Sequence, residues 1–219
     1  MPSIMVTKIF DGLYGFIWQD YQQNNCNSYL IDADKRILID PGHSHLFSHV
    51  EQGLLSLRID PLSIDLVLIT HAHPDHMEAS LLFKKPTMLT MSETDFAYLR
   101  ELAGDFYKLP VPDFFLREGD LEVGSLQFEV ISTPGHTPGS ICLYWPKKGA
   151  LFTGDLVFEQ GIGRTDLPGG SGKQLKESIL KVEALQAQYV LPGHGRVVSG
   201  AGAVKDNFKQ VRDYWFNYL

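Results

Sequence analysis

The chain has 219 residues, which fits one domain or two small ones and is ample for a sizeable hydrophobic core; we expect one domain over residues 1–219. The net charge of −7 argues against nucleic acid as the main partner, because phosphate binding favours a basic surface. There is no apolar run of about 18 residues and no signal-peptide pattern at the start. We therefore expect a cytoplasmic protein that acts on a small molecule and does not bind a membrane.

Residues 1–40 alternate in polarity and carry turn signals at Asp11-Gly12 and Asn24-Asn25. This pattern predicts a run of antiparallel strands that ends at residues 36–40, where Asp40-Pro41-Gly42 turns the chain. The two cysteines, Cys26 and Cys142, lie inside apolar, strand-like segments. We expect both thiols to be reduced and buried.

Three histidines follow the turn, namely His43, His45 and His49. The last two are four residues apart on a predicted helix, a spacing that can bind a metal ion. The sequence shows no carboxylate with them, and the core stripe at Leu46, Val50 and Leu54 turns His45 and His49 away from the core. We therefore expect no metal here, although His43 could lie near a site beside the turn.

The densest cluster of potential ligands is THAHPDHMEA, residues 70–79, with His71, His73, Asp75 and His76. It follows an apolar segment, residues 65–69, that reads as a buried strand. In an extended chain His71 and His73 point the same way, and Pro74 then places the other two at the start of a helix. Imidazole and carboxylate are the usual ligands of zinc and similar ions, so the segment predicts two pairs of metal ligands.

Residues 77–118 predict a helix, a strand at 87–90, and a second helix that Ser92 opens with Asp95 three residues later, as in a capping box. A proline-containing loop follows, with aromatic side chains that either line a substrate cleft or pack on the sheet. Packing is favoured, because aromatic side chains are mostly core. The aromatic residues of this loop are Phe106, Tyr107, Phe114 and Phe115.

Three further potential ligands, His136, Asp155 and His194, each follow a strand-like segment and stand beside Gly or Pro, which allow tight turns. The glycine-rich residues 159–172 precede a helix but lack the GK[ST] ending of a nucleotide-binding loop. That helix has an apolar stripe, and so does the last one, at about 201–218, which we expect to pack on the sheet. The aromatic tail 214–216 could instead meet a second subunit in a homo-oligomer.

The motif HxHxDH followed by separated His, Asp and His resembles the metallo-β-lactamase superfamily, from about Asn24 to the last helix. The resemblance implies a four-layer αββα sandwich with the metals at one edge of its two sheets. It also gives Asp40 a role in supporting the metal loops; a simple strand-end turn is the alternative. It implies one metal on His71, His73 and His136, a second on Asp75, His76 and His194, and Asp155 bridging both.

This ligand set implies a hydrolase in which two divalent ions share a hydroxide that attacks a carbonyl, with Asp75 orienting the nucleophile. Zinc is expected, and the same ligands accept iron or manganese. An aspartate at position 155 argues against the β-lactamases proper, and the acidic composition argues against the nuclease branch.

The segment GRTDLPGGS, residues 163–171, resembles the glyoxalase II-like branch, which implies thioester hydrolysis. Arg164 is the candidate contact for an anionic substrate group, and an ion pair with Asp166 is the alternative. Met77-Glu78 after the motif and a single helix after Gly195 depart from that branch and put glutathione as the thiol in doubt. A mononuclear iron persulfide dioxygenase and a non-enzymatic binding domain are the rival functions.

Overall fold

The computed structural model describes residues 6–103 and 108–219, and two β-sheets form its centre. The first sheet has seven strands in the order of the chain. These strands are β1 (Val6–Phe10), β2 (Leu13–Phe16), β3 (Ser28–Asp32), β4 (Arg36–Ile39), β5 (Leu66–Leu68), β6 (Met88–Ser92) and β7 (Phe114–Leu116).

The second sheet has six strands in the order β15-β14-β11-β10-β9-β8, and β12 with β13 forms a separate hairpin. The strands are β8 (Gly119–Val123), β9 (Leu126–Ser132), β10 (Ile141–Trp145), β11 (Ala150–Gly154), β12 (Val157–Phe158), β13 (Gly161–Ile162), β14 (Tyr189–Pro192) and β15 (Val198–Ser199). The helices are α1 (Ser48–Ser56), α2 (Pro74–Met77), α3 (Glu93–Ala103), α4 (Gly172–Glu183) and α5 (Ala201–Trp215).

Alternating side chains give each sheet two apolar faces. In β4, Ile37 and Ile39 pack between the two sheets, whereas Leu38 faces the opposite way, into a core that also contains residues of α1 and α3. A third core joins the other face of the second sheet to α4 and α5. The resulting order is helix, sheet, sheet, helix, so the expected αββα sandwich is confirmed.

The first four strands form an antiparallel meander, as the turn signals predict, and β4 to β7 then run parallel. Residues 1–5 lie outside the described part. The stripes of the two C-terminal helices are buried, and both cysteines are free and buried, as predicted. Among the described residues, no helix is both long and apolar enough to cross a membrane. A single domain over 1–219 stays a prediction.

Four predicted elements differ from the structure. His45 lies in a 3-10 turn at Ser44–Leu46 and not on one helix with His49, which belongs to α1. The helix after the histidine cluster is the four-residue α2, continued by a 3-10 turn at Glu78–Leu82. Phe114 and Phe115 belong to the edge strand β7 rather than to a loop, and Phe115 contacts Phe96 of α3 with ring centroids 5.5 Å apart. Phe106 and Tyr107 lie outside the described residues. The last helix ends at Trp215, three residues earlier than expected.

Candidate metal centre

The seven predicted ligands lie together at one edge of the sandwich, because each follows the end of a strand. Four of them come from the segment after β5 in the first sheet. The others come from the second sheet: His136 from the β9–β10 loop, Asp155 after β11 and His194 after β14. Backbone hydrogen bonds join the two sheets here, from Ile141 N to Thr70 O at 3.0 Å and from Asn27 N to Gly193 O at 2.6 Å.

His71, His73 and His136 form the first ligand group, with ligand atoms all within 4.8 Å of one another. Burial and the charge on His76 hold the pKa of His71 well below its usual range. Burial and His136 lower the pKa of His73 to about 4. These two imidazoles are therefore neutral at pH 7, the state in which histidine binds a metal.

Asp75, His76 and His194 form the second group. The Nε2 atom of His194 lies 3.3 Å from Asp75 Oδ2 and 3.4 Å from His76 Nε2. Burial lowers the pKa of His194, but the Asp155 carboxylate outweighs it and raises that pKa to about 9. Without a metal ion, this group therefore holds protons that an ion must displace.

Asp155 stands between the two groups. Its Oδ1 lies 3.3 Å from His76 Nε2, and its Oδ2 lies 3.4 Å from both His136 Nε2 and His194 Nε2. Burial raises the pKa of this carboxyl, but the neighbouring His76 and His194 lower it well below its usual range. One ionised carboxylate is thus shared by both groups.

A metal ion fits this arrangement. Within the described part of the chain, His71 Nε2, His136 Nε2 and Asp155 Oδ1 are buried without a hydrogen-bond partner. Unsatisfied buried polar atoms each cost about 1–3 kcal/mol, so several of them aimed at one region indicate a missing partner. Nitrogen and carboxylate oxygen atoms suit zinc, iron or manganese. The seven residues would hold such ions as the two groups, with Asp155 between them.

Asp40 lies behind the predicted ligands and contacts His76 and Thr70. Its Oδ2 lies 2.9 Å from His76 Nδ1 and accepts from Thr70 Oγ1 at 2.7 Å, while its Oδ1 accepts from the Thr70 backbone N–H at 2.8 Å. A hydrogen bond to the far ring nitrogen fixes the orientation of a ligand histidine. These contacts place Asp40 where the resemblance implies, and the turn is itself specialised, because Asp40 has a φ of +51°.

Asp95 supports two ligand loops at once, a role that the sequence did not reveal. It is fully buried, and its carboxylate accepts from Ala72 N at 2.7 Å, Gly139 N at 2.6 Å and Thr137 Oγ1 at 2.7 Å. Ala72 separates His71 from His73, and Thr137 follows His136. The predicted cap is present, with Asp95 N donating to Ser92 Oγ. The available signal was that Asp95 shares a helix face with the buried Leu99, four residues on.

A cleft of about 480 Å³ opens above the two groups. His73, Asp75 and His194 form part of its floor, and its walls include apolar side chains. These are Phe158 and Ile162 of the β12–β13 hairpin and Leu167. Asn24, whose sequence context predicts only a turn, also lines the cleft and donates from Nδ2 to Asp75 Oδ2 at 2.8 Å.

Arg164 lines the cleft too, but Asp166 already pairs with it. The guanidinium donates to both Asp166 carboxylate oxygens, at 2.8 and 2.7 Å, so the ion pair that was the alternative prediction is present. The backbone carbonyl of Arg164 accepts from His136 Nδ1 at 2.8 Å. Residue 164 therefore orients a predicted ligand through its main chain.

The second histidine group differs from the expectation in two ways. Glu78 supplies the carboxylate thought to be lacking, with its Oε2 3.1 Å from His43 Nδ1. His45 is exposed as expected, but His49 is half-buried, with its ring 5.1 Å from that of Trp18. The contact with Glu78 joins residues 35 positions apart in the chain.

Comparison with known proteins decides the family. The model of the metallo-beta-lactamase superfamily matches residues 21–194, which include every predicted ligand. The chain belongs to the metallo-beta-lactamase superfamily. This membership implies divalent metal binding, which agrees with the donor atoms described above.

Three similar proteins illustrate the relationship. A probable metallo-hydrolase, MJ0888 of Methanocaldococcus jannaschii, is 37% identical over 78% of this chain and 88% of its own length. The hydroxyacylglutathione hydrolase GloC of Haemophilus influenzae is 36% identical over 79% and 86%. The crystal structure of TTHA1623 in a di-iron-bound form has a TM-score of 0.67 and 30% identity, and covers 83% of this chain and 93% of its own. The names of the first two relatives support a metallo-hydrolase.

Proposed function

We propose that this protein hydrolyses a thioester or a related acyl ester with two divalent metal ions held by the seven residues. The observation that carries the proposal is the position of Asp155, whose two oxygens face both ligand groups. Zinc is the expected ion, and iron or manganese would suit the same donors. Iron gains support from the di-iron form of the related TTHA1623, and thioester chemistry from the name of GloC.

The bound ions would supply an activated water molecule and polarise the substrate carbonyl. The protein's own side chains orient these partners. Burial raises the pKa of Asp75, but His194 and His76 hold it well below the usual range. A carboxylate with so low a pKa is a weak base, so Asp75 is suited to orient the attacking water, with Asn24 fixing its Oδ2.

The cleft favours a substrate with an apolar group beside the scissile carbonyl. Phe158, Ile162 and Leu167 provide apolar surface, whereas the Arg164 charge is already neutralised by Asp166. An anionic thiol such as glutathione would therefore find little charge to bind at Arg164. We propose a small acyl thioester as substrate, with no nucleic-acid or membrane partner, in keeping with the acidic composition. Cytoplasmic location and a homo-oligomer stay predictions.

The test measures thioester cleavage and oxygen uptake on the same metal-loaded preparation. Lactoylglutathione and an uncharged acyl thioester serve as substrates, and glutathione persulfide tests the rival dioxygenase. We expect cleavage of at least one thioester without oxygen uptake. Rapid oxygen uptake with negligible cleavage would reverse the assignment, because a mononuclear iron oxygenase needs only two histidines and one carboxylate.

The His194→Ala variant tests the second ligand group. His194 lies within 3.4 Å of Asp75, His76 and Asp155, so its loss removes one of the three residues of the second ligand group. We expect thioester hydrolysis to fall by at least ~10²-fold, the scale of losing one element of oxyanion stabilisation. His49→Ala is the matched control, since His49 lies outside both groups, and it should retain activity. Full activity in His194→Ala would exclude the two-metal mechanism.

A further inference from the structure

We propose that His43, His45 and Glu78, here called the peripheral triad, form a separate site for a divalent transition metal ion. One ligand atom from each residue lies within 4.8 Å of the others. The triad shares no residue with the two ligand groups of the metal centre. Two imidazoles and one carboxylate are a common ligand set for zinc, iron, cobalt and nickel, whereas magnesium and calcium favour oxygen ligands.

The carboxylate of the triad is fixed in place. Glu78 Oε2 accepts from the Ser44 backbone N–H at 2.9 Å and lies 3.1 Å from His43 Nδ1. Both contacts end on the same oxygen, so Oε1 is left for a further partner. A hydrogen bond between His43 and Glu78 would explain the positions of these two side chains alone. It does not explain why the exposed His45 ring lies beside them, with its centroid 5.0 Å from that of His43.

The backbone that carries the triad is also fixed. Ser44 Oγ donates to Glu78 O at 3.0 Å, and Ala79 N donates to Gly42 O at 2.8 Å. Asn25 Oδ1 accepts from His43 N at 2.9 Å. The site is thus largely formed before an ion arrives, which reduces the ordering cost of binding.

The triad is open to solvent, unlike the metal centre. The His43 side chain is 19% exposed and that of Glu78 is 40% exposed, while His76 in the centre is fully buried. Three protein ligands leave coordination positions for water. We therefore expect an exchangeable ion, bound more weakly than those of the centre. Because Glu78 follows His76 by two residues, the ion would connect residues 43–45 to α2, which carries Asp75 and His76.

The test counts ions by equilibrium dialysis of the metal-free, full-length protein against zinc, followed by elemental analysis. His45→Ala and Glu78→Gln each remove one ligand; His45 is exposed, so its removal leaves the fold intact, and glutamine keeps an acceptor for Ser44 N–H. We expect each variant to bind one zinc ion fewer than the wild type. His49→Ala, on the same segment but outside the triad, is the control and should bind as many as the wild type.

Equal zinc counts in the wild type and both variants would overturn the proposal. The loss of two or more ions in either variant would also overturn it, because the triad residues would then stabilise the metal centre and would not bind an ion of their own. The result is a difference between two counts, so it does not depend on which reaction the centre catalyses. Cobalt gives a second readout: the wild type should show visible absorption from one more ion than His45→Ala. Unchanged thioester hydrolysis in His45→Ala would show separately that the centre is intact.

Discussion

At the scale of single residues, four histidines of the centre fall into two electrostatic states. His71 and His73 lose their protons because burial and neighbouring histidines disfavour charge. His76 and His194 keep theirs because Asp155 outweighs the same burial. The metal-free centre therefore combines charged histidines beside Asp155 with the two neutral imidazoles of His71 and His73.

This division predicts that the two groups bind metal with different pH dependence. His194 has a pKa raised to about 9, so an ion binding to its group displaces a proton, and affinity should rise with pH up to about 9. His73, with a pKa of about 4, adds no such dependence near neutrality. Zinc titration calorimetry in two buffers of different ionisation enthalpy should show more protons released by one ion than by the other. Equal proton release by both ions would contradict the assignment.

Replacing Asp95, which contacts two ligand loops, should lower both stability and metal affinity. In Asp95→Asn one oxygen becomes an N–H₂ group that faces the donors Ala72 N or Gly139 N, and leaving a buried donor unpaired costs about 1–3 kcal/mol. We expect urea unfolding to show a loss of that size and bound metal to weaken by ~10–100-fold, as for other groups that orient ligands. Glu93→Gln, an exposed acid on the same helix, is the control and should stay within about 0.5 kcal/mol of the wild type. A wild-type unfolding curve for Asp95→Asn would contradict this role.

At the scale of elements, α5 holds the hairpin that forms one wall of the cleft. The buried Asn207 donates to Phe158 O at 2.9 Å and accepts from Gln160 N at 2.7 Å. Trp215 Nε1 donates to Gln160 O at 2.8 Å. The apolar stripe of the helix packs on the second sheet, and these polar groups fix the hairpin relative to it. A helix that carries none of the predicted ligands thereby sets the position of Phe158.

Replacing Asn207 with Ala should loosen this wall. Two backbone groups of the hairpin lose their partner, and we expect a destabilisation of about 1–3 kcal/mol together with a higher KM and a smaller change in kcat. The measurements are thermal unfolding and steady-state kinetics with a thioester. Asp206→Ala, on the exposed face of α5, is the control. A fall in kcat with an unchanged KM would show that the helix acts on the ligands rather than on the cleft wall.

The elements themselves were largely predictable, because their signals are local. Alternation and turn residues identify β1–β4, and apolar stripes identify α4 and α5. Contacts between distant positions were not predictable. Asn24 contacts Asp75 over 51 residues at the metal centre, and His43 contacts Glu78 over 35 residues in the peripheral triad. Periodicity shows which face a residue occupies but not which element packs against that face. The sequence places Phe114 and Phe115 in a loop, because a three-residue edge strand is too short to show an alternating pattern.

At the scale of the whole molecule, the metal centre joins the two sheets. The first sheet supplies four of the predicted ligands and the second supplies His136, Asp155 and His194. The direct links between the sheets at this edge include Asn27 Nδ2 to Pro192 O at 3.0 Å and Tyr29 Oη to the same carbonyl at 2.7 Å. Ions bound here would add a connection between the two sheets. The predicted ligands come together only when both sheets are packed as in the native fold.

Metal removal should therefore lower the stability of the whole molecule and not only that of the ligand loops. An ion that binds the folded state alone stabilises it by about 2.7 kcal/mol at a free concentration of 100 times its Kd. For a chain of this size 1 kcal/mol corresponds to about 2–4 °C in Tm, so each ion should raise Tm by about 5–10 °C. Calorimetry of chelated and zinc-reloaded protein measures the shift in Tm. The His194→Ala variant should show a smaller shift in Tm, because its second ligand group is incomplete. A single transition that moves as a unit would show that both halves gain stability. A Tm unaffected by chelation would mean that these residues do not hold metal in the folded protein.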